Sequence, residues 1–229
     1  MNEAHVLEFM ELRVVKRLIG QVTSVVELAF PGVADRFRHS VDWHYKRYGI
    51  RPMFGLFWNF CINGILLGQK RIHCRPHSDS KNIVGVCALV IYQLPGSRFD
   101  NTRKSWIVLW EAGVAIQLPP WVIFAYPSSL LYHFNIDVDD FKFVTMVDGE
   151  TPTPENSLPL EQGGDEGRGS IVFFNQASMY AALESGWDTL YDAREAGHSG
   201  TSDYGRTVAG SFESYGRFID AREGRSPST

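Results

Sequence analysis

From residue 56 onward the apolar residues occur in short runs, and this pattern is the strongest limit on how the chain can fold. The runs are rich in β-branched and aromatic residues, and Gly, Pro, Asn or Asp separate them. Short strands at close intervals predict antiparallel sheets stacked as a sandwich or jelly roll. The runs are LFWNFCIN, IVGVCALVIY, SWIVLWE, GVAIQLP, WVIFAY, SLLYHFNI, FKFVTMV and GSIVFFN.

Helical patterns flank these runs on both sides. Residues 5–30 and 33–49 have amphipathic spacing, and the second stretch stops at Gly49. A further helix is predicted over residues 177–197. The predicted class is therefore α+β, with a jelly-roll (double-stranded β-helix) core, N-terminal helices and a helix after the last core strand.

We expect one domain with three parts. Residues 1–55 form a helical support region, residues 56–197 form the core, and residues 198–229 form a Ser/Gly-rich tail. An acidic stretch with several prolines, residues 148–167, is predicted to be a mobile insertion in the core. The length of 229 residues and the hydrophobic content of 44% are sufficient for one sizeable core.

The apolar runs and the cysteines indicate an intracellular protein. The runs are too short to span a bilayer, so no membrane partner is expected. Three cysteines, odd in number and scattered, argue against a disulfide scaffold and favour a reducing compartment. The expected location is cytoplasmic or nuclear.

Charge is unevenly distributed along the chain. Basic residues predominate in residues 1–110 and acidic residues in residues 111–229. The segment 36–51 mixes Arg and Lys with Trp and Tyr, a combination that suits DNA or RNA. One alternative is a helix that packs its aromatic residues on a sheet. Another is that the two halves neutralise each other across the fold.

The segment RIHCRPHSDSKN, residues 71–82, is either a polar loop rich in histidine or half of a metal site. Fe(II) that must also bind oxygen and a chelating co-substrate takes two imidazoles and one carboxylate, which leaves three positions open. The His-x-Asp motif supplies His77 and Asp79, and His133 on a later predicted strand supplies the second imidazole. We do not expect His73 to be a ligand, because a fourth protein ligand would block one of those positions.

Arg168 and Ser170 open the last predicted strand. They are two residues apart, so both side chains point to the same face of a sheet. A guanidinium and a hydroxyl that converge in this way suit a carboxylate, such as the distal carboxylate of 2-oxoglutarate. The alternative is a surface arginine that pairs with Asp165 or Glu166.

These motifs resemble those of Fe(II)/2-oxoglutarate-dependent dioxygenases, and more narrowly those of the TET/JBP group, which oxidises the methyl group of a pyrimidine base in nucleic acid. HCRPHSDSKN is similar to that group's His-x-Asp-x-x-Asn. RGSIVFFNQASM is similar to the TET strand Arg-x-Ser-Leu-Val-Phe-Tyr-Gln-His-Lys-Ser-Met. Over roughly residues 50–195 the chain also resembles basidiomycete proteins often associated with transposons, in WNFCIN and in WEAGVAIQLPPWVIFAYPSSLLYHFN.

The resemblance implies an enzyme that uses Fe(II), 2-oxoglutarate and O2 as co-substrate. His77, Asp79 and His133 would bind the iron. Arg168 and Ser170 would bind 2-oxoglutarate.

The resemblance also implies two substrate-binding residues, Asn82 and Gln176. Asn82 matches a family Asn near the target base. Gln176 stands where the family has a base-recognising His, and a Gln offers a donor and an acceptor but cannot be protonated.

Three functions are compatible with these observations. The first is oxidation of a methylated nucleobase of the 5-methylcytosine type, for which Phe54, Phe57 and Trp58 are candidate stacking residues unless they fill the core. The second is dioxygenase chemistry on a small molecule or a protein side chain. The third is a jelly-roll binding module without activity, in which the histidines are structural.

Overall fold

The computed structural model describes residues 3–65, 71–138, 144–146, 153, 157–159 and 167–198. No described helix is long and apolar enough to cross a membrane. All three cysteines are free thiols. The helices α1 to α5 span Glu3–Glu11, Arg13–Ala29, Pro31–Tyr48, Ser178–Ser185 and Leu190–Glu195.

Each apolar run of the sequence contains one strand, as predicted. The strands β1 to β9 span Asn59–Asn63, Cys87–Gln93, Trp106–Leu109, Val114–Ile116, Ile123–Tyr126, His133–Ile136, Val144–Met146, Ser157–Pro159 and Arg168–Phe174.

Strand β8 lies inside the stretch 148–167 that we predicted to be a mobile insertion. It pairs with β7 in a two-stranded antiparallel sheet, so this part of the stretch has regular secondary structure, and its mobility stays a prediction. Apart from residues 153 and 167, the rest of the stretch lies outside the described residues. The predicted tail beyond residue 198 also lies outside them.

The helix boundaries differ from the predictions at two places. The predicted helix over 5–30 is divided at Leu12, whose ψ of 124° is extended and interrupts the helical backbone. The predicted helix over 177–197 is divided because Gly186 takes a left-handed φ of 77° and ends α4. A new helix, α5, then begins after Thr189, whose side chain accepts a hydrogen bond from the backbone N–H of Asp192.

The main strands form two antiparallel sheets. One has four strands in the order β1-β9-β2-β5, and the other has three in the order β4-β3-β6. Helices together with antiparallel sheets confirm the α+β class. The double-stranded β-helix arrangement stays a prediction.

One face of the four-stranded sheet packs against the helices. Phe173 of β9 and Val90 of β2 share a buried cluster with Val26 of α2, Phe37 of α3 and Tyr180 of α4. The apolar stripes of these helices bury themselves on this face because it offers them a matching apolar surface.

The opposite face of the same sheet turns towards the three-stranded sheet. Leu89 and Ile91 of β2 form a second buried cluster with Ile107 and Leu109 of β3. Side chains alternate along a strand, so β9 sends Phe173 to the helices and Val172 to the space between the sheets. The helices therefore support the sheet from behind, and the space between the sheets is left for a site.

The three candidate stacking residues Phe54, Phe57 and Trp58 all belong to the helix-side cluster. Phe57 is fully buried, and its ring lies 5.8 Å from that of Phe37 and 5.9 Å from that of Phe173. For these residues the core interpretation is the one that the structure supports.

The basic residues of segment 36–51 are largely engaged in ion pairs. Arg36 binds Glu184 of α4, Arg38 binds Glu27 of α2, and Arg47 binds Asp188. Two of these pairs join the basic half of the chain to the acidic half. The structure therefore favours neutralisation across the fold.

Replacing Phe37 by Ala should destabilise the fold without altering the space between the sheets, because Phe37 lies behind the four-stranded sheet. Phe37 is fully buried, and truncating such a side chain costs about 3–5 kcal/mol. Urea unfolding followed by circular dichroism measures this change. Leu28→Ala on α2, where the side chain is 77% exposed, is the control and should stay within about 0.5 kcal/mol of the native protein. Equal stability of the Phe37 variant and the control would contradict the described core.

Candidate functional site

A cavity of about 280 Å³ lies between the two sheets. Six of the seven residues predicted to form the site line it, and they come from three separate parts of the chain: the segment 71–82, strand β6 and strand β9. The residues are His77, Asp79, Asn82, His133, Arg168 and Ser170. The seventh, Gln176, is not among the lining residues.

The segment carrying His77 and Asp79 is held in place by backbone hydrogen bonds to both sheets. The N–H of His77 donates to the carbonyl of His133 (3.2 Å), and the N–H of His133 donates back (2.8 Å). The N–H of Asp79 donates to the carbonyl of Ser128, and that of Ile83 donates to the carbonyl of Asn175 at the end of β9. An irregular segment thus becomes a fixed extra strand beside β6.

The side chains of His77, Asp79 and His133 converge at one wall of the cavity. One potential ligand atom from each lies within 4.8 Å of the others. The Nε2 of His77 is 3.7 Å from the Oδ1 of Asp79, and the two imidazole centroids are 4.3 Å apart. This is the donor set, with one side open to the cavity, that a divalent iron with free coordination positions requires.

Both imidazoles are oriented by backbone carbonyls. The Nδ1 of His77 lies 2.7 Å from the carbonyl oxygen of Arg75, and the Nδ1 of His133 lies 2.9 Å from that of Leu131. A carbonyl only accepts, so each Nδ1 carries the proton and each Nε2 keeps its lone pair for a metal. This is the arrangement that outer hydrogen bonds impose on histidine ligands.

Burial of His133 and a hydrogen bond to Asp79 both bear on metal binding. Burial lowers the pKa of His133, so its imidazole is neutral at pH 7. The Nδ2 of Asn82 donates to the Oδ2 of Asp79 (3.2 Å), which leaves the other carboxylate oxygen for the cavity. Asn82 therefore lies against the predicted metal ligand Asp79.

The same cavity also carries a buried positive charge. Arg168 is 2% exposed; its Nη1 donates to the carbonyl of Ile72 (3.0 Å), and its buried Nε has no partner among the described residues. No carboxylate forms an ion pair with it in the described part of the chain. The suggested partners Asp165 and Glu166 lie outside that part.

Burial lowers the pKa of Arg168 to about 10, so the guanidinium is still charged at pH 7. Cys74, which also lines the cavity, does not neutralise it. Burial raises the pKa of that thiol despite the opposing effect of Arg168, and the thiol stays protonated. A buried cation without an anion is costly, and a carboxylate in the cavity would remove that cost.

Sequence reasoning missed two polar residues of the cavity, Asn63 and Asn135. The carboxamide oxygen of Asn135 accepts from the N–H of Cys74 (3.0 Å) and so fixes the segment that leads to His77. Its position two residues after His133 was a usable signal, because alternation puts both side chains on one face. Asn63 had no such signal, because it meets the site only through the pairing of β1 with β9.

Two of the remaining candidates lie elsewhere. Gln176 sits just beyond β9, paired with Asn82 through the backbone, and its N–H donates to the Oδ1 of Asn59 (3.1 Å). Segment 36–51 forms most of α3, which packs on the helix side of the four-stranded sheet, opposite the face that lines the cavity. A nucleic acid bound to that segment would therefore lie behind the sheet.

Comparison with known proteins leaves the family open. No family model and no curated protein matches the chain. Among solved structures it is similar to NgTET1 in complex with 5mC DNA, with 12% sequence identity and a TM-score of 0.44 over 74% of this chain and 51% of that one. The chain thus spans about half the length of the NgTET1 chain. Function is argued below from the side chains of the site.

Alanine variants of His77, Asp79 and His133 should each lose metal binding. Loss of a hydrogen bond to a metal ligand weakens metal affinity by about 10- to 100-fold. Loss of a ligand itself should have a larger effect, so each variant should bind Fe(II) or Mn(II) more than about 100-fold more weakly. Anaerobic calorimetric titration measures the affinity. His73→Ala is the matched control: His73 is an exposed histidine of the same segment outside the cluster, and its loss should leave the affinity unchanged. Metal binding that survives in all three ligand variants would show that the ion binds elsewhere.

Proposed function

We propose that the chain is an Fe(II)- and 2-oxoglutarate-dependent dioxygenase that hydroxylates a C–H bond of a methylated nucleobase in DNA or RNA, of the 5-methylcytosine type. The observation that carries this proposal is the shared cavity. An open-sided His77–Asp79–His133 cluster and the buried cation Arg168, which has no carboxylate partner among the described residues, line the same space. A dicarboxylate such as 2-oxoglutarate fits both features. One of its ends would chelate the metal, and its other carboxylate would pair with the guanidinium of Arg168.

Different side chains of the cavity would bind the iron and the co-substrate. The Nε2 atoms of His77 and His133 and the carboxylate of Asp79 would hold the iron. Arg168 and the Ser170 hydroxyl would hold the distal carboxylate of 2-oxoglutarate. When bound, the iron with 2-oxoglutarate supplies oxygen activation, in which the co-substrate becomes succinate and CO2 and a substrate C–H becomes C–OH.

Part of the cavity lining is apolar. Leu89, Ile107 and Val172 line it, together with the aromatic side chains of Tyr126 and Phe174. The ring of Tyr126 stands edge-on to His133, with the centroids 5.1 Å apart. Aromatic walls suit a planar ring as substrate.

The size of the cavity limits the form of a nucleic-acid substrate. A space of about 280 Å³ admits part of one nucleotide and excludes a duplex. The target base would therefore be flipped out or already unpaired. Asn82 would meet it beside Asp79, and Gln176 would act from the margin.

The proposal extends to the organisation of the chain. It assigns residues 1–55 to a helical support, residues 56–197 to a double-stranded β-helix core, and residues 198–229 to a tail. The likeness to basidiomycete transposon-associated proteins stays a prediction. A nuclear or cytoplasmic location also stays one.

A second candidate function is hydroxylation of a small molecule or a protein side chain by the same site. One observation favours it. The segment expected to hold nucleic acid, residues 36–51, lies behind the sheet, and Arg36, Arg38 and Arg47 are engaged in ion pairs.

Arg168→Ala should weaken 2-oxoglutarate binding while metal binding persists. Loss of one partner of a buried charge pair costs about 2–5 kcal/mol, which corresponds to roughly 30-fold to several-thousand-fold in the dissociation constant. Calorimetry with Mn(II)-loaded protein measures it. Arg168→Lys, which keeps the charge but loses the planar fork, should fall between Ala and the native protein. Arg38→Ala, a partly exposed arginine on α3, is the control. Overlaid titration curves for Arg168→Ala and the native protein would remove the basis for an oxoglutarate enzyme.

Mass spectrometry of nucleosides tests the substrate. The protein is incubated with Fe(II), 2-oxoglutarate and methylated single-stranded DNA, duplex DNA or RNA, with Asp79→Ala as the blank. The nucleobase proposal predicts a hydroxylated base and an equal amount of succinate, with more product from single strands than from duplex. Succinate formation stimulated by a small metabolite or a peptide, with unchanged nucleosides, would favour the second candidate.

A further inference from the structure

Asn63 contacts Ser170, one of the two residues proposed to bind the carboxylate, from the strand beside β9. It is the last residue of β1 and stands directly opposite Ser170 in the antiparallel register. Its Nδ2 donates to the Oγ of Ser170 (3.1 Å), and both side chains line the cavity. The sequence analysis assigned this residue no role, although it ends the motif WNFCIN.

The direction of these hydrogen bonds is set by a neighbour on β1 that also lines the cavity. The thiol of Cys61, two residues earlier on β1, donates to the Oδ1 of Asn63 with an S···O distance of 3.6 Å. The carboxamide oxygen therefore faces Cys61, and the NH2 group faces Ser170. The pattern is a chain of donors that runs from Cys61 through Asn63 to Ser170.

This chain decides what the Ser170 hydroxyl can do. A hydroxyl has one proton to donate and lone pairs to accept with, so it can serve either role towards a ligand. The Oγ of Ser170 accepts from Asn63, and no acceptor for its proton is found among the described residues. Ser170 is 3% exposed, so water does not readily supply one. Its O–H is left to donate into the cavity, where Arg168 also points its charge.

We propose that Asn63 is a positioning residue for the co-substrate: it holds the Ser170 hydroxyl as a donor towards the carboxylate that Arg168 attracts. The inference rests on the proposed use of 2-oxoglutarate. An ionised carboxylate only accepts hydrogen bonds, so a site whose two side chains both donate selects that form. Asn63 adds this selectivity without touching the ligand itself.

Two substitutions of Asn63 test the proposal through the affinity for 2-oxoglutarate. Asn63→Asp keeps the shape, but its carboxylate would accept the Ser170 proton and repel the ligand. It should raise the dissociation constant by roughly tenfold or more. Asn63→Ala leaves the hydroxyl free to turn and should raise the constant by about three- to tenfold. Anaerobic calorimetry of Mn(II)-loaded protein, with 2-oxoglutarate as titrant, gives each value.

A double-mutant cycle with Ser170→Ala separates positioning from a merely structural role. If Asn63 acts through Ser170, Asn63→Ala should have no further effect on the dissociation constant once Ser170 is Ala. Asn101→Asp is the matched control, because it adds the same charge outside the cavity lining at a residue that accepts from Gln117. The Mn(II) affinity and the melting temperature should match the native values in every variant.

The outcomes distinguish failure of the role proposed for Asn63 from failure of the proposed dioxygenase function. No binding of 2-oxoglutarate by the native protein would overturn both. Binding that needs Arg168 but is unchanged in Asn63→Asp would overturn the role of Asn63 alone. Equal effects of Asn63→Ala in the native and Ser170→Ala backgrounds would also overturn it, because Asn63 would then act independently of the hydroxyl.

Discussion

The two backbone hydrogen bonds between His77 and His133 are the interaction on which the site depends. They join a segment without regular secondary structure to strand β6, and so bring together two parts of the chain that are far apart in sequence. The direct pairing places both imidazoles on one face, 4.3 Å apart, and carries Asp79 with them. Asn135 strengthens the same junction through Cys74. The four-stranded sheet and the helices behind it supply the rigid frame against which this junction is held.

The second constraint is electrostatic. A guanidinium that is 2% exposed carries a desolvation cost, and the described residues give Arg168 only a backbone carbonyl and a cation–π contact with the ring of Phe99 in return. The arginines of α3 show what a structural arginine looks like in this protein, because each is matched by an acid. Arg168 differs from them in burial and in the lack of such a match among the described residues. A buried arginine of this kind is what a binding site for an anionic ligand requires.

The parts of the site that the sequence predicts are those encoded locally. Every strand except β8 overlaps a run rich in β-branched and aromatic residues, and the spacing of Arg168 and Ser170 fixes a shared face by alternation alone. The His-x-Asp motif is equally local, and His133 follows from its place on a predicted strand. The pairing of Asn63 with Ser170 joins residues separated by 107 positions, and this register is set by how β1 packs beside β9. Nothing within either strand specifies it. The same holds for α3, whose Arg36, Arg38 and Arg47 suit nucleic acid in sequence but pair with acids once the chain folds.

The proposed function requires that iron and 2-oxoglutarate bind together in one cavity, the iron at His77, Asp79 and His133 and the distal carboxylate at Arg168 and Ser170. A crystal structure of the native protein grown anaerobically with Fe(II) and 2-oxoglutarate tests this most directly, with anomalous scattering to locate the iron. The account predicts one iron between the Nε2 atoms of His77 and His133 and the carboxylate of Asp79. It also predicts 2-oxoglutarate extending from that iron to Arg168 and Ser170. An iron bound away from these three side chains, or a dicarboxylate that does not reach Arg168, would contradict it.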